Sequence, residues 1–512
     1  MKIDLTNLPN DPSVLQAMVG DLLRELESKE RKPMGLQHYL EQLLRWRYGP
    51  RRERIDENQL FLFAAGLVQA DPEAPDGAGG PDAPSSSRRN SKGHGRSPLP
   101  QHLERRRMVY DVPAEERRCP HCQEEMRAMG EDVSERLEYV PASLHVIEEV
   151  CRKYGCPKGC TVVTAPKPLQ PIEKGLPGPG LLAHVAVSKY GDHLPLTRQE
   201  QMFGRQGVAV SRKTMGDWMG RCAELLAPLF EEMKRETLRS KVVQTDDTPV
   251  SVLDPELPRT RTGRIWAYVG DDEHPYTVYD YTPNRNREGP EAFLEDFSGY
   301  LQADAYAGYD ALYNDSGREV TEVACWAHTR RKFYEAQSSD LMRSTVLLAY
   351  IRLLYDVERQ ARDRNLDSQG RLELRQVRSL PILDDIKAYL KREQANVLPK
   401  SPEGQAIAYA LSNWDALVRY CQDGHLEIDN NGAERSLRGV AVGRRNWTFF
   451  GSDGGGRTAA ILTSFIATCK RLGVNSHTYL RDVLSRISSH KQNRLNELLP
   501  DTWQEAQSCP NS

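Results

Sequence analysis

Three carboxylates that lie far apart in the sequence have the residue types that a metal-dependent phosphoryl-transfer site needs. Glu434 follows the segment Asp-Asn-Asn-Gly, residues 429–432, and this helix-start signal predicts that Glu434 lies in the first turn of a helix. Asp246 and Asp304 each lie in a segment that alternates like a β-strand. Such carboxylates can hold two hard cations, about 3.5–4 Å apart, that activate a nucleophile and stabilise a leaving oxygen. Taken singly, each aspartate is more often a structural or turn residue, so the prediction depends on the three together.

The elements that would position these carboxylates are predicted from a change of periodicity near residue 240. Three consecutive strands are followed by a helix near 289–297, a strand that ends at Asp304, a second helix and a fifth strand. This order matches the ribonuclease-H-like fold. Because neighbouring strand residues point to opposite faces of a sheet, Asp246 and the adjacent Asp247 are not expected to face the same metal site.

Five of the ten cysteines fall between residues 119 and 160, in the motifs CPHC and CPKGC. Two close thiol pairs offer four soft ligands for a tetrahedral, structural Zn²⁺ without an open position for chemistry. The segment between the pairs alternates like strands, which predicts a zinc ribbon. Cys151 and His121 remain alternative ligands, because three residues rather than two separate the second pair. The predicted ligands are Cys119, Cys122, Cys156 and Cys160.

Basic and aromatic side chains near these segments are candidates for DNA contacts. The stretch LTRQEQMFGRQGVAVSRKTMGDWMGR predicts a helix, a turn at Gly207 and a helix capped by Ser211, which together resemble a helix-turn-helix. Plain helix packing is an equally good interpretation of that stretch. His328 is expected either near the scissile phosphate or as a packing residue. The glycine-rich turn at 452–457 is expected to be flexible enough to approach a backbone closely, although a single glycine-rich loop is a weak indication of phosphate binding. The candidate DNA-binding residues are Lys213, Arg330, Arg331, Arg435, Arg438, Arg444, Arg445 and Trp447.

Composition limits the class of protein without identifying it. The chain has 512 residues and a net charge of −3, so that affinity for nucleic acid must come from local basic patches. The start of the sequence lacks the features of a signal peptide, and no apolar run is long enough for a membrane span. The uneven cysteines favour one metal site in a reducing cytosol over a disulfide framework.

These patterns predict a multidomain α/β protein, in which a ribonuclease-H-like catalytic core with a helical insertion follows N-terminal helices, a zinc ribbon and a helix-turn-helix-like segment. The N-terminal helices are expected either to pack as a simple hairpin or to take part in dimerisation or DNA contact. The predicted segments are 1–69, N-terminal helices; 70–107, a disordered basic linker; 108–170, zinc ribbon; 171–238, helix-turn-helix-like helices; 239–334, core strands; 335–425, helical insertion; 426–460, catalytic Glu helix and basic loop; 461–512, C-terminal helices and a polar tail.

Several long strings resemble one family. They include CPHC with GEDVSERLEYVPASLHV, the stretch HVAVSKYGDHLPLTRQEQMFGRQGVAVSRKTMGDWMGR, DDTPVSVL, CWAHTRRKF, IDNNGAERSLRGVAVGRRNWTFFGSDGGG and SFIATCKRLGVNSHTYLRDVL. From about residue 36 to 490 the chain resembles the insertion-sequence-66-type transposases, a branch of the Asp-Asp-Glu transposases. The resemblance implies Asp246, Asp304 and Glu434 as the three carboxylates in that order. The family normally has Glu where this chain has Asp247, and its second cysteine pair is usually two residues apart.

The resemblance implies a bacterial enzyme that cuts the ends of a DNA element and joins its 3′-hydroxyl to target DNA. We expect two Mg²⁺ ions, replaceable by Mn²⁺, a structural Zn²⁺, and no high-energy cofactor. The expected partners are element-end DNA, target DNA, further copies of the chain and small accessory proteins of the same element, in the cytoplasm at the nucleoid. Two alternatives are a zinc-dependent DNA-binding regulator with an inactive core, and a nuclease of the same fold that acts on RNA or branched DNA.

Overall fold

The computed structural model describes residues 99–508 apart from positions 100, 102, 141, 142, 174 and 316. The predicted N-terminal helices, residues 1–69, and the predicted linker up to residue 98 lie outside the described residues. Within the described part of the chain, no helix combines the length and the apolar character that crossing a bilayer requires.

A small sheet forms the first part of the described fold. Its strands are β1 (Arg105–Tyr110), β2 (Arg127–Val140), β3 (Ser143–Gly155) and β4 (Val162–Thr164). The strand β3 pairs antiparallel with β2 and β4 and parallel with β1. At the end of the sheet where β4 lies, Val112, Met126, Tyr154 and Ala165 form a separate small core with the nearby cysteines.

The predicted linker, residues 70–107, is wrong at its C-terminal end. Its last three residues belong to β1 and pair with β3. Arg105 contacts Glu135 at 3.1 Å, and Arg107 pairs with Glu131, so these side chains balance acidic groups of the same sheet. The basic composition of this segment does not predict a strand. A strand can nevertheless pair through its backbone while most of its side chains are exposed.

Helices connect the small sheet to the large one. They are α1 (Pro179–Ala186), a π-helical turn (Val187–Gly191), α2 (Leu196–Arg205) and α3 (Arg212–Leu238). Between α2 and α3, Gly207 has a φ of 77°, and Ser211 caps α3 by accepting a hydrogen bond from the Thr214 amide at 3.1 Å. The predicted helix, turn and capped helix are therefore confirmed as local structure. Met215 and Trp218 of α3 are buried.

The large sheet has five strands in the order β7-β6-β5-β8-β9. They are β5 (Val242–Val252), β6 (Arg261–Val269), β7 (Thr277–Thr282), β8 (Gly299–Ala303) and β9 (Val320–Ala324). The first three are antiparallel, whereas β8 and β9 run parallel to β5. The helices of this region are α4 (Glu288–Phe293), α5 (Asp310–Asn314) and α6 (Trp326–Ala336). Along β6, Trp266 and Tyr268 join the core that contains α3, and Ile265 and Ala267 join a core on the opposite face.

A group of four helices follows α6. They are α7 (Leu341–Asp363), α8 (Ser368–Gln394), α9 (Pro402–Ser412) and α10 (Trp414–Val418). Their core also includes Trp326 from α6. Arg375 and Glu358 form a buried ion pair at 2.7 Å, and Arg375 also donates to the carbonyl oxygens of Tyr420 and Asp423, so that the buried charge is compensated.

The remaining helices divide between the two cores beside the large sheet: the first two reach the core on the second face, and the last two join the core that contains α3. They are α11 (Asn431–Trp447), α12 (Asp453–Leu472), α13 (Ser476–Arg486) and α14 (Pro500–Ser508). Leu437 of α11 and Ala459 of α12 pack in the core that contains Ile265 and Ala267. The segment boundary predicted between residues 460 and 461 therefore falls inside α12.

Two expectations for this last region are wrong. The glycine-rich segment after Ser452 is the first turn of α12 rather than a flexible turn, because the Ser452 hydroxyl accepts a hydrogen bond from the Gly455 amide at 3.1 Å. The predicted polar tail includes α14, in which Trp503 is buried and donates its indole N–H to Asp482 at 2.7 Å. One large apolar residue in a mostly polar segment is too weak a periodic signal to predict a helix.

Candidate metal centres

The four predicted zinc ligands converge at one end of the small sheet. The Sγ atoms of Cys119, Cys122, Cys156 and Cys160 all lie within 4.8 Å of one another. Four sulfur atoms at about 2.3 Å from a tetrahedral zinc would be roughly 3.8 Å apart, so the cluster fits that ion. The Cys122 and Cys156 sulfur atoms are 3.3 Å apart. The amide of Cys160 lowers the pKa of the Cys156 thiol to about 6, whereas the hydrogen bond with Cys156 raises the pKa of Cys160, so within this pair Cys156 is the thiol that ionises more readily.

The geometry excludes the two alternative ligands from this cluster. Cys151 lies within β3, opposite Asp132 of β2, and His121 is exposed; neither belongs to the group of four. The extra residue in the second cysteine pair is accommodated by Gly159, whose φ of 74° closes a turn in which its amide donates to the Cys156 carbonyl at 2.9 Å.

The three predicted carboxylates lie on three elements of the large sheet and its covering helix. Asp246 is on the central strand β5, on the face covered by α11, and Asp304 comes directly after β8. Glu434 lies in the first turn of α11, as predicted. Their oxygen atoms are more widely spaced than the cysteine sulfurs, since within the described residues only the cysteine cluster has three or more ligand atoms all within 4.8 Å.

The electrostatics of this carboxylate site favour a bound cation. Burial raises the pKa of Asp246 well above its ordinary value, and repulsion from Asp304 and Glu434 raises it further. Burial also raises the pKa of Asp304 and of Glu434, although nearby arginines partly oppose both shifts. Glu434 Oε1 is buried without a hydrogen-bond partner among the described residues. An unsatisfied oxygen among mutually repelling acids is the donor set that a hard cation such as Mg²⁺ binds.

Buried amides fix the start of α11 against the sheet. Asn430 donates through Nδ2 to the carbonyl of Thr245 at 2.9 Å, and Gln302 of β8 donates through Nε2 to the Glu427 carbonyl at 2.5 Å. At Gly432 a Cβ atom would lie 2.3 Å from the Gln244 side-chain oxygen, so a larger residue there would require the Gln244 side chain to move. These contacts set the position of Glu434 relative to Asp246. The turn is predictable from the sequence, but its contacts with β5 and β8 are not.

Two groups on α6 face the carboxylate of Glu434. His328 Nε2 lies 3.5 Å and an Arg331 guanidinium nitrogen 3.7 Å from Glu434 Oε1. Burial, together with the charges of Arg331 and Lys332, lowers the pKa of His328 to about 4, so the imidazole is neutral at pH 7. His328 therefore lies at the site rather than in a remote packing position.

Asp247 points to the other face of β5, as the strand alternation predicts. Its side chain is only 3% exposed and pairs with Arg264 at 2.9 Å and with Arg285 at 2.8 Å. Arg285 also lies 3.7 Å from Asp304 Oδ2. Neither arginine is predictable from the sequence, because Arg264 lies within β6, Arg285 lies in a turn-like segment after β7, and neither segment contains a motif that predicts a site.

The candidate DNA-binding residues fall into three groups. Arg444 donates to the hydroxyl of Thr248 and the carbonyl of Pro249, at 3.1 and 2.6 Å, and Trp447 stacks on Phe450 with ring centroids 4.6 Å apart; both therefore have packing roles. Arg330 and Arg331 are partly buried on α6. The exposed members of the set are Lys213 on α3 and Arg435, Arg438 and Arg445 on α11.

Four family models match the chain. The model described as "Transposase IS66 family" matches residues 174–458, and "IS66 C-terminal element" matches 464–500. The model "zinc-finger binding domain of transposase IS66" matches 116–159, which ends one residue before Cys160. "Transposase C of IS166 homeodomain" matches 35–108. The zinc-finger match and the cysteine cluster together support a structural zinc ion.

Similar proteins cover nearly the whole chain. Uncharacterized protein y4hP of Sinorhizobium fredii (strain NBRC 101917 / NGR234) is 34% identical over an alignment of 500 positions, which covers 92% of this chain and 89% of that protein. Uncharacterized proteins y4jD and y4qI of the same strain are each 33% identical over alignments of 531 positions. The first alignment covers 98% of both chains, and the second covers 95% of this chain and 96% of y4qI. With matches of this extent, the chain belongs to the IS66 family of transposases.

Proposed function

We propose that the chain cuts phosphodiester bonds at the ends of a DNA element and transfers the resulting 3′-hydroxyl to target DNA, with Asp246, Asp304 and Glu434 as ligands of two Mg²⁺ ions. The observation that carries this proposal is the placement of three partly buried carboxylates, one on the central strand β5, one directly after its neighbour β8 and one in the first turn of the covering helix α11. When bound, the ions would activate the attacking oxygen and stabilise the leaving oxygen. No high-energy cofactor is needed, because one phosphodiester replaces another.

The order of the large sheet supports a ribonuclease-H-like core. Three antiparallel strands followed by two strands parallel to the first give the order β7-β6-β5-β8-β9, with the first strand in the centre. In this arrangement Asp246 is on the central strand and Asp304 follows its parallel neighbour. The covering helix α11 carries Glu434 to the same edge. Residues from three distant parts of the chain therefore surround one position.

The neighbouring residues of α6 would orient Glu434 and receive the substrate. The neutral imidazole of His328, 3.5 Å from Glu434 Oε1, adds no charge that would compete with a metal ion. Arg331 is 39% exposed and lies 3.7 Å from the same oxygen. Its guanidinium is therefore available to a phosphate oxygen of the DNA when a metal ion occupies the carboxylates.

The exposed face of α11 would hold the DNA backbone. Arg435, Arg438 and Arg445 are spaced three and seven residues apart, so they lie on one side of the helix, beginning beside Glu434. They have no acidic partner at salt-bridge distance within the described part of the chain. Phosphate contacts of this kind give affinity without sequence preference and weaken with salt.

The remaining regions would recognise and pair the element ends. A zinc domain rigidified by its metal and an exposed Lys213 on the capped helix α3 are suited to DNA contact, and the homeodomain match at 35–108 adds a further candidate. Because both ends must be held together for joining, we expect several copies of the chain on the DNA, with accessory proteins of the element as further partners. The site of action would be the nucleoid in the bacterial cytoplasm.

The test is strand transfer by the full-length protein, with a labelled duplex that carries the junction between the encoding element and its flanking DNA. In Mg²⁺ or Mn²⁺, wild type should give joined products, and Glu434→Gln should bind the duplex but give none. Glu335→Gln is the matched control, because Glu335 is exposed on α6 and should leave joining unchanged. Products from Glu434→Gln would reject the assignment. End binding without cleavage by wild type would instead favour a DNA-binding regulator, and cleavage of RNA or branched DNA alone would favour a nuclease.

A further inference from the structure

Arg285 lies beside the carboxylate site, although no sequence motif points to it. We propose that its guanidinium binds a non-bridging oxygen of the phosphodiester that is being cleaved. This inference rests on the proposed function, since it assigns a substrate contact at that same site. Three features of the arginine support it: its charge, its fixed position and its accessible donors.

The charge balance leaves a positive charge at Arg285. The buried carboxylate of Asp247 accepts a hydrogen bond from Arg264 on Oδ2 at 2.9 Å and from Arg285 Nε on Oδ1 at 3.0 Å. One carboxylate can neutralise only one of these two guanidinium groups. The second charge lies toward Asp304, whose Oδ2 is 3.7 Å from Arg285. Once divalent cations compensate Asp304, the charge of Arg285 is available to an anion.

The guanidinium is held in place before any substrate binds. Asp247 holds it on one side, and on the other its central carbon lies 4.1 Å from the centroid of the Tyr306 ring. The Tyr306 hydroxyl also donates to the backbone carbonyl of Arg285, which ties the loop after β7 to the loop after β8. A donor that is fixed in this way needs no reorganisation when charge develops on a phosphate oxygen.

Within the described residues, Arg285 also has N–H donors that no protein atom accepts. Its side chain is 38% exposed, compared with 22% for Arg264. Within the described residues, Nη1 of Arg285 has no hydrogen-bond partner, whereas Nε and Nη2 contact Asp247. A guanidinium group has five N–H donors in a planar fork that matches phosphate geometry. The accessible edge of Arg285 therefore offers the donors that a phosphate oxygen requires.

A purely structural role is the competing explanation, and Arg264 provides the matched control. Both arginines pair with Asp247, so that Arg285→Gln and Arg264→Gln each remove one partner of the same buried carboxylate. A structural role predicts similar losses of melting temperature and of activity in the two variants. A phosphate contact predicts that the cleavage rate falls only in Arg285→Gln, because Arg264 has no contact with Asp304 among the described residues.

The experiment measures single-turnover cleavage of the junction duplex by the full-length protein in Mg²⁺, together with duplex affinity and melting temperature. We expect Arg285→Gln to lower the cleavage rate by on the order of 10²–10³-fold, the cost of removing one fixed donor to a developing anion. Duplex affinity should be unchanged, because contacts elsewhere supply it. Arg264→Gln should lower the melting temperature by a similar amount and retain the wild-type rate.

Each other outcome overturns the inference in a distinguishable way. Equal rate losses in the two variants would make Arg285 a structural partner of Asp247. A wild-type rate in Arg285→Gln would exclude the contact. If that variant fails to fold, Arg285→Lys keeps a charge for Asp247 but not the planar fork, and its cleavage at the wild-type rate would also contradict the proposal. Failure of wild type itself to cleave in any divalent metal would reject the proposed function and the inference together.

Discussion

The two candidate metal centres of this protein are built in opposite ways. The four cysteine sulfurs come from two turns of one small sheet and already lie within 4.8 Å of one another. The three carboxylates come from β5, the end of β8 and α11, are more widely spaced, and repel one another. The cysteine cluster is therefore closed by local chain geometry, whereas the carboxylate site is assembled from distant elements of the fold, and the proposed cations would balance its charge.

This difference has a consequence for stability and for function. A tetrahedral site with four protein ligands leaves no position for a substrate, so its metal contributes to folding. Carboxylates that are held apart in a partly buried site destabilise the fold when no cation is present, but they leave coordination positions for DNA oxygens. Strain of this kind is typical of functional sites and is offset by packing elsewhere. Changes at one centre should therefore affect folding, and changes at the other should affect chemistry.

Asp246→Asn should have the largest effect, and it should change catalytic activity and folding stability in opposite directions. Removing one ligand of the proposed metals should lower strand transfer by more than about 10³-fold, because the ions provide several kcal/mol of transition-state stabilisation. The same substitution removes a carboxylate that repels Asp304 and Glu434, so the metal-free variant should melt at a higher temperature than wild type at neutral pH. Joining assays and calorimetry measure both quantities. A variant that is inactive but less stable would mean that Asp246 has a structural role.

Cys160→Ser should change zinc binding and folding rather than the chemistry of the carboxylate site. It tests whether Cys160, which lies beyond the zinc-finger match, is a zinc ligand. We expect zinc affinity to fall by more than about 10–100-fold, which is the usual cost of losing only a hydrogen-bond partner of a metal ligand. Duplex binding should weaken, while Mg²⁺-dependent stabilisation of the large sheet should persist. Cys151→Ala is the control, since Cys151 is buried in β3 outside the cluster and should leave one zinc per chain. Elemental analysis measures the zinc content per chain. Full zinc content in Cys160→Ser would identify a different fourth ligand.

The same contrast explains what the sequence could predict. The zinc ligands were predictable because they lie in two short motifs. The helix start before Glu434 was predictable because a cluster of Asp, Asn and Gly is a local turn signal, although Asn430 makes no side-chain capping hydrogen bond. The hydrogen bond from Asn430 to Thr245 was not, because it depends on how α11 lies across β5. The contact of Arg285 with Asp247 and Asp304 was missed for the same reason. Long-range contacts between unlike elements leave no periodic signal in one sequence.

The pH dependence of folding stability should also distinguish the two centres, and the expected effect is smaller than the effects of Asp246→Asn and Cys160→Ser. Because burial and then the charges of Asp304 and Glu434 raise the pKa of Asp246, the folded state binds its proton more tightly than the unfolded state does. Lowering the pH from neutral through that raised pKa should therefore stabilise the metal-free protein, by about 1.4 kcal/mol for each tenfold difference in proton affinity between the folded and unfolded states. Mg²⁺ should raise the melting temperature at neutral pH and progressively less at lower pH.

Asp246→Asn is the control for this measurement, because it should lose most of the Mg²⁺ effect. Part of the pH dependence should remain in the variant, since burial raises the pKa of Asp280 on β7 to about 6 independently of the carboxylate site. A melting temperature that rises with Mg²⁺ equally in wild type and variant would show that the cation binds elsewhere on the protein.

Tyr355→Phe should have the smallest effect, and it tests whether the helices between α6 and α11 support the carboxylate site. The hydroxyl of Tyr355 on α7 donates to Asp429 Oδ2 at 2.8 Å, directly before the turn that leads to Glu434. Losing this bond should cost about 0.5–1.5 kcal/mol of folding free energy, because Asn431 still donates to Asp429. If the contact positions Glu434, strand transfer should also fall, while zinc content stays at one per chain.

Tyr350→Phe is the matched control on the same helix, since the Tyr350 hydroxyl has no hydrogen-bond partner within the described residues. Equal stability and equal joining rates in the two variants would mean that the carboxylate site is positioned by the sheet and its buried amides without help from these helices.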